Sequence, residues 1–140
     1  MANTQAVCTS AKVDALTAIA ANADTIKAAL YLATATINAA TTAYTATGEA
    51  SGTGYTAGGV NTTHTVAASS TGTTAFWTPS ASIVYTTVTL TAFDCVLLYN
   101  SSQANRAIAA YTFGSQTVTA GNFTLTMPTN DATTGLLRIA

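Results

Sequence analysis

Charged side chains are nearly missing from this sequence: Lys, Arg, Asp and Glu make up 6% of its 140 residues, against about 25% in an average soluble domain. The only basic residues are Lys12, Lys27, Arg106 and Arg138. Four cations are too few to displace counterions from a run of phosphates, which argues against nucleic acid as a partner. The acids Asp14, Asp24, Glu49, Asp94 and Asp131 lie in unrelated segments, so no titratable pair for general acid and base work is visible. His64 is the one histidine, in NTTHT, and no G-x-S-x-G elbow marks a nucleophile. It reads as a solvent-facing strand residue.

Cysteine is equally sparse. Cys8 and Cys95 have no neighbours at metal spacing, and two thiols do not make a disulfide framework, so both are expected to be free and buried. Without a close cluster of Cys, His and acids, no metal site is expected, and no catalytic or cofactor-binding residues are assigned. Long apolar runs are missing too: no window reaches the roughly 18 apolar residues of a membrane span, so no membrane partner is expected. Residues 13–23, VDALTAIAANA, are broken by Asp14 and follow no basic region, unlike a signal peptide. The glycines of SGTGYTAGG match neither phosphate-loop pattern, because no lysine follows them, and they read as turn residues.

What the chain has instead is alanine and threonine, 30 and 31 residues respectively. Its polar surface is therefore hydroxyl more than ionic. With a formal charge of −1, little repulsion keeps copies apart, and such a surface suits permanent assembly. The length fits one domain with one core.

Along the chain, residues 10–21 place Val13, Leu16 and Ile19 or Ala20 on one side at helical spacing, with Ser10 as N-cap. Residues 25–35 fit a strand through Ile26, Ala28, Leu30 and Leu32 and a helix through Ile26, Leu30 and Ala33, so periodicity leaves them open. Residues 38–59 read as a long loop with five glycines, anchored by Tyr44 and Tyr55. Downstream, Val84, Val88, Leu90 and Ala92 alternate with Tyr85 and threonines before the apolar run FDCVLLY. Asp94 interrupts that run, and it is either a carboxylate paired with Arg106 or Arg138 or a strand-edge residue facing water. A polar turn from Asn100 to Asn105 precedes the strand RAIAAYTFG; a second turn spans Gly114 to Gly121, before Phe123, Leu125 and Met127 alternate with threonines. Leu136, Leu137 and Ile139 form a last strand. Short strands separated by turns predict a mainly β chain, an antiparallel β-sandwich over residues 1–140 with one short N-terminal helix.

Three stretches, KAALYLATATINAATTAYTATGEASGTGYTAGG at 27–59, LLYNSSQANRAIAAYTFG at 97–114 and FTLTMPTNDATTGLLRIA at 123–140, resemble a family of short tailed-bacteriophage virion structural proteins. The resemblance implies a strand at 25–35. It also implies a place in the virion, assembled from protein made in the host cytoplasm. A capsid cement or decoration role at the capsid surface is the leading expectation, with the major capsid protein and the chain itself, as dimer or trimer, as partners. A tail, collar or head-fibre component is the alternative. A receptor- or carbohydrate-binding module is a third reading, for which Tyr44 and Tyr55 beside Glu49 are the only hint. Between Asn61 and Ser82 the sequence departs from the family by lacking acidic residues. Aromatic residues are over-represented at binding hot spots, which makes Tyr44, Tyr55, Phe76, Trp77 and Tyr85 the candidate interface residues. The loop from Asn38 to Gly59 either reaches a neighbouring subunit or folds back over its own sheet.

Overall fold

A computed structural model of the protein describes residues 3–140. The chain is mainly β: every strand pairing is antiparallel, in two sheets, with one short N-terminal helix, as the sandwich reading expected. The residues fall into two compact units, one made of the segments up to Asn22, His64–Ser80 and Met127–Ala140, the other of Ala23–Thr63 and Ala81–Thr126.

The first unit holds helix α1 (Thr9–Ile19) and a three-stranded sheet in which β4 (Thr74–Trp77) lies between β3 (Ser69–Thr71) and β7 (Leu137–Ile139). The final apolar strand is thus found where the sequence placed it. The helix differs in detail. It starts at Thr9, and its N-cap is Cys8, in extended backbone with no side-chain capping bond, in place of Ser10. Its buried stripe is Lys12, Leu16 and Ala20, while Ile19 is 38% exposed. The reason is that a lysine stem can lie along apolar surface while its amine finds a polar partner. Here the Lys12 Nζ donates to Thr73 O at 2.9 Å. Pattern reading reserves such positions for apolar residues and so rotates the stripe toward Val13. In the same unit Trp77 is fully buried, with the His64 ring edge-on at 5.8 Å. His64 is half-buried and outside any strand, which corrects its solvent-facing assignment.

The second unit is a four-stranded sheet in the order β2 (Val60–Asn61), β1 (Ile26–Leu32), β5 (Ile83–Asn100), β6 (Arg106–Leu125). β1 is buried on both faces, which explains why its apolar run carried no clear period. The β5–β6 hairpin turns at 101–105, as its polar residues indicated. Two corrections concern this hairpin. β6 is one continuous strand of 20 residues, with no turn between Gly114 and Gly121. β5 changes phase: Ile83 and Tyr85 point inward, then Val88 and Leu90, then Phe93 and Cys95, while Val84 is 41% exposed and Ala92 is exposed. The phase resets where the register skips: four of the five skips contain a residue with positive φ, Thr87 and Ala92 on β5 and Gly114 and Ala120 on β6, and the fifth lies between Leu98 and Tyr99, opposite Ile108. Each skip is a β-bulge, in which one strand carries more residues than its partner and bends and twists; between Phe93 and Cys95 one residue of β5 faces three of β6. Because both strands carry bulges, the long ribbon stays paired from Ile83↔Leu125 to Asn100↔Arg106.

On one face the core cluster is Ala29, Tyr31, Cys95, Leu97 and Tyr99, with Ile37 and Tyr44 packed against it. Elsewhere in the same unit Phe93 meets the ring of Phe123 edge-on at 4.8 Å and that of Phe113 at 6.0 Å. Cys95 is buried as expected, but Cys8 is exposed, because it precedes the helix instead of lying on its packed face.

Replacing Trp77 with alanine is expected to lower stability by roughly 3–5 kcal/mol, the cost of emptying a buried aromatic site. Denaturant unfolding of the two proteins measures it, and an unchanged midpoint would remove Trp77 from the core.

Candidate functional site

The segment 38–59 gathers the glycines, two of the candidate interface tyrosines and an acid, so any site begins there. Its backbone is bonded to its own sheet. Leu32 N donates to Gly48 O at 2.9 Å and Ala50 N to Leu30 O at 2.8 Å, with Tyr31 bridged to Glu49 between them. These bonds continue along the outer edge of β1 from where the two-residue β2 stops. Further on, Thr89 N of β5 donates to Thr53 O at 2.9 Å. Such approaches leave no room for side chains. A Cβ on Gly59 would meet Ala28 O at 1.7 Å, and one on Gly54 would meet Thr87 O at 2.2 Å; both have positive φ. Only glycine combines that conformation with that contact.

Glu49 closes the arrangement. Its Oε2 accepts from the Tyr44 hydroxyl at 2.6 Å; its Oε1 accepts from the Tyr55 hydroxyl at 2.8 Å and from Gly58 N at 2.7 Å. Bonds to an ionised carboxylate are about twice as strong as neutral ones, so one side chain ties three points of the loop together. The tyrosines then tie the loop to the sheet. Tyr55 accepts from Leu30 N at 2.9 Å. Tyr31 donates to Thr45 O at 2.6 Å and Tyr99 to Gly58 O at 2.7 Å. Tyr85 donates to Ala28 O at 2.8 Å, inside the strand pair. Tyr44 stacks on Tyr99 with centroids 4.9 Å apart, and Tyr55 on Tyr85 at 6.1 Å. Five of the six tyrosines thus belong to one network around a single carboxylate.

That network resists loss of the phenolic protons. Burial pushes the Tyr31 hydroxyl up to about 12, and the Glu49 charge adds to the rise against the opposing bond to Thr45 O. Tyr44 is raised first by its hydrogen bond to Glu49, and Tyr55 and Tyr85 first by burial, with Glu49 again contributing.

Of the candidate interface residues, Phe76, Trp77 and Tyr85 are buried in the folded chain, with 7%, 0% and 1% of their surface exposed. Tyr44 and Tyr55 are half-buried, with their hydroxyls already engaged. The hint of a sugar site in Tyr44, Tyr55 and Glu49 correctly groups three residues that meet, but both carboxylate oxygens are occupied by the chain's own donors. Sequence reasoning missed Tyr31, Tyr99 and Gly58, whose only signal is a polar tip on otherwise apolar strands and a paired glycine. Asp94 is half-buried in β5, and Arg138 directs Nη1 to Thr133 O at 2.6 Å. Between Ile37–Thr41 and the start of β6 lies a cleft of about 370 Å³ with no charged side chain in its lining. Among the described residues there is no group of three His, Cys, Asp or Glu able to hold a metal, and no helix long and apolar enough to cross a membrane. No family model, curated protein or solved structure matches this chain significantly.

Two outcomes follow from the carboxylate network. Glu49→Ala, which strands two hydroxyls and an amide, is expected to lower stability by about 3 kcal/mol, and Tyr44→Phe by about 1–2 kcal/mol. A double-mutant cycle in denaturant should show the two changes coupled, and additive losses would count against the network. The pH dependence has a fixed sign. Tyr31 binds its proton more tightly folded than unfolded, so its contribution is complete below pH 10 and is lost between pH 10.0 and about 12. Each such tyrosine steepens the decline by about 1.4 kcal/mol per pH unit in that window. Stability measured from pH 8 to pH 12 should be level first and then fall, with a shallower fall in Tyr31→Phe.

Proposed function

We propose that this chain is a non-catalytic structural protein of a tailed-bacteriophage virion, acting as a capsid cement that stabilises the major capsid lattice. The observation that carries this reading is the surface of the β5–β6 ribbon. From Ala107 to Leu125, β6 contains no Lys, Arg, Asp or Glu, and its exposed positions include Thr112, Ser115, Thr117, Thr119, Asn122 and Thr124. Hydroxyls both donate and accept, so such a surface can satisfy whatever backbone or side chain it meets. Burying it requires no desolvation of ions, the step that makes charged surface costly to cover.

The pinned loop supports the same reading. A cement subunit must transmit load between neighbours without yielding, and segment 38–59 is held at its backbone and by five tyrosines instead of being left mobile. Each copy then adds a modest number of contacts to a preformed shell, and the contacts of many copies together oppose the pressure of packaged DNA. The resemblance at 27–59, 97–114 and 123–140 implies a place in the virion.

The test is made on particles. Heads lacking the protein are expected to assemble with normal geometry and to release DNA at a lower temperature than complete heads, and gel densitometry should count hundreds of copies per particle. Six or twelve copies would move the protein to the neck or tail. Protein-free particles that melt normally but fail to attach to cells would favour receptor binding.

A further inference from the structure

The sheet order leaves β6 as an edge strand. At its start that edge is closed, since Ala107 N donates to Thr42 O at 3.0 Å and Ala43 bridges Arg106. Beyond this, no other strand among the described residues pairs with β6 on its outer side. Exposed edges are usually blunted by shortness, Lys, Pro, inward charges or bulges. β6 is 20 residues long and has no Lys or Pro, and no charge after Arg106; bulges are the device it uses. Its positive-φ residues are Gly114 and Ala120, at φ 79° and 47°.

Those kinks also define what can pair there. They lie symmetrically, three residues on either side of Thr117. A straight strand laid along this edge loses register at each kink. A second β6, antiparallel with Thr117 opposite Thr117, sets Gly114 opposite Ala120 at both ends, so the two strands bend at the same points. Ser115 then faces Thr119, and no charged pair arises anywhere along the segment. We infer that β6 pairs with β6 of a second copy about a two-fold axis at Thr117, joining two four-stranded sheets into one. Such a contact is self-complementary, the form that a closed dimer requires. This inference rests on the assembly role proposed above and names its first partner, a second copy of the chain.

Thr117 is exposed, so charge can be placed there without opening a core. The full-length protein is expected to sediment as a dimer at tens of micromolar. Thr117→Lys and Thr117→Glu should each weaken the dimer at least tenfold, with unchanged circular dichroism, because like charges then meet at the axis. An equimolar mixture of the two should restore dimerisation, which only a Thr117-to-Thr117 contact predicts. A third variant introduces no charge: Thr117→Cys in a Cys8→Ser background should form an intermolecular disulfide under mild oxidation. Directly opposed residues have Cα atoms about 4.5–5.5 Å apart, within bridging range. A wild-type monomer, a dimer indifferent to Thr117→Lys, or failure of the mixture to recover would each overturn the pairing. Failure of the pairing and failure of the cement role are distinguishable. A wild-type dimer insensitive to Thr117→Lys, on particles that the protein still protects from heat, removes only the edge pairing. A dimer sensitive to Thr117→Lys, on particles the protein does not protect, removes only the cement role.

Discussion

One carboxylate holds the larger sheet closed on one side. Glu49 accepts from Tyr44, Tyr55 and Gly58 N, and through them segment 38–59 becomes part of the sheet instead of a connection beside it. Without that anchor, the backbone groups of Leu30 and Leu32 that face outward would lose the partners they have in Tyr55, Gly48 and Ala50. A lone carboxylate withdrawn from water is costly. Three charge-assisted bonds offset that cost, and the half-buried position keeps it moderate. The consequence reaches the far side of the sheet. With the β1 edge occupied by β2 and the loop, β6 lies at the other end of the strand order, and among the described residues no other strand pairs with its outer side beyond Arg106.

The same economy runs through the other charges. Asp24 accepts from Asn100 Nδ2 at 2.7 Å and Gln103 Nε2 at 2.6 Å, fixing the β5–β6 turn to the start of β1. Asp131 accepts from Thr133 N, Thr134 N and the Thr134 hydroxyl, which shapes the turn before β7 and holds the carboxyl below its ordinary range. Lys12 and Arg138 each reach a backbone carbonyl. These few ionic groups fasten local backbone. The 6% of charge in this sequence is therefore not a thinned version of an ordinary surface; much of it serves as turn and loop hardware, and the outside is left to threonine, serine and alanine.

Which parts of this were legible in the sequence follows from what pattern reading can sense. β-Branched runs, the polar turn after Asn100 and the last apolar strand came through, because propensity and turn chemistry act locally. The bulges did not. Thr87 and Ala92 adopt positive φ without being glycine or asparagine, so nothing in the residue type marks where β5 changes phase, and Val84 was assigned to the wrong face. β6 failed in the opposite direction: Gly114 and Gly121 look like turn punctuation but lie inside one strand. The loop was legible in its residues and not in its destination. Its glycines read as turn residues, and two of them, Gly59 and Gly54, also lie against the backbone of Ala28 and Thr87 of the same chain. Tyr44, Tyr55 and Glu49 were grouped correctly, whereas the contributions of Tyr31 and Tyr99 depend on strand register, which no local pattern encodes.

A long uncharged edge with bulges poses a specific physical problem. An open edge invites any extended chain, and charge is the usual deterrent, yet ions in the middle of a contact must be desolvated when it forms. Bulges discriminate by shape instead. The kinks at Gly114 and Ala120 limit a straight partner to the short extended stretch between them, too little to compensate for ordering a flexible chain. A partner with the same two kinks gains the whole open part of the edge, beyond Ala107. Ala120 sharpens the discrimination, because a non-glycine residue at φ 47° is held there only by the surrounding ladder with β5. The bend in the edge is therefore a property of the folded sheet and not of the isolated strand. An unfolded copy of the same sequence does not present it. On this reading the geometry that lets β6 accept a folded copy also works against its templating an unfolded one, a protection that a surface with little charge does not otherwise supply.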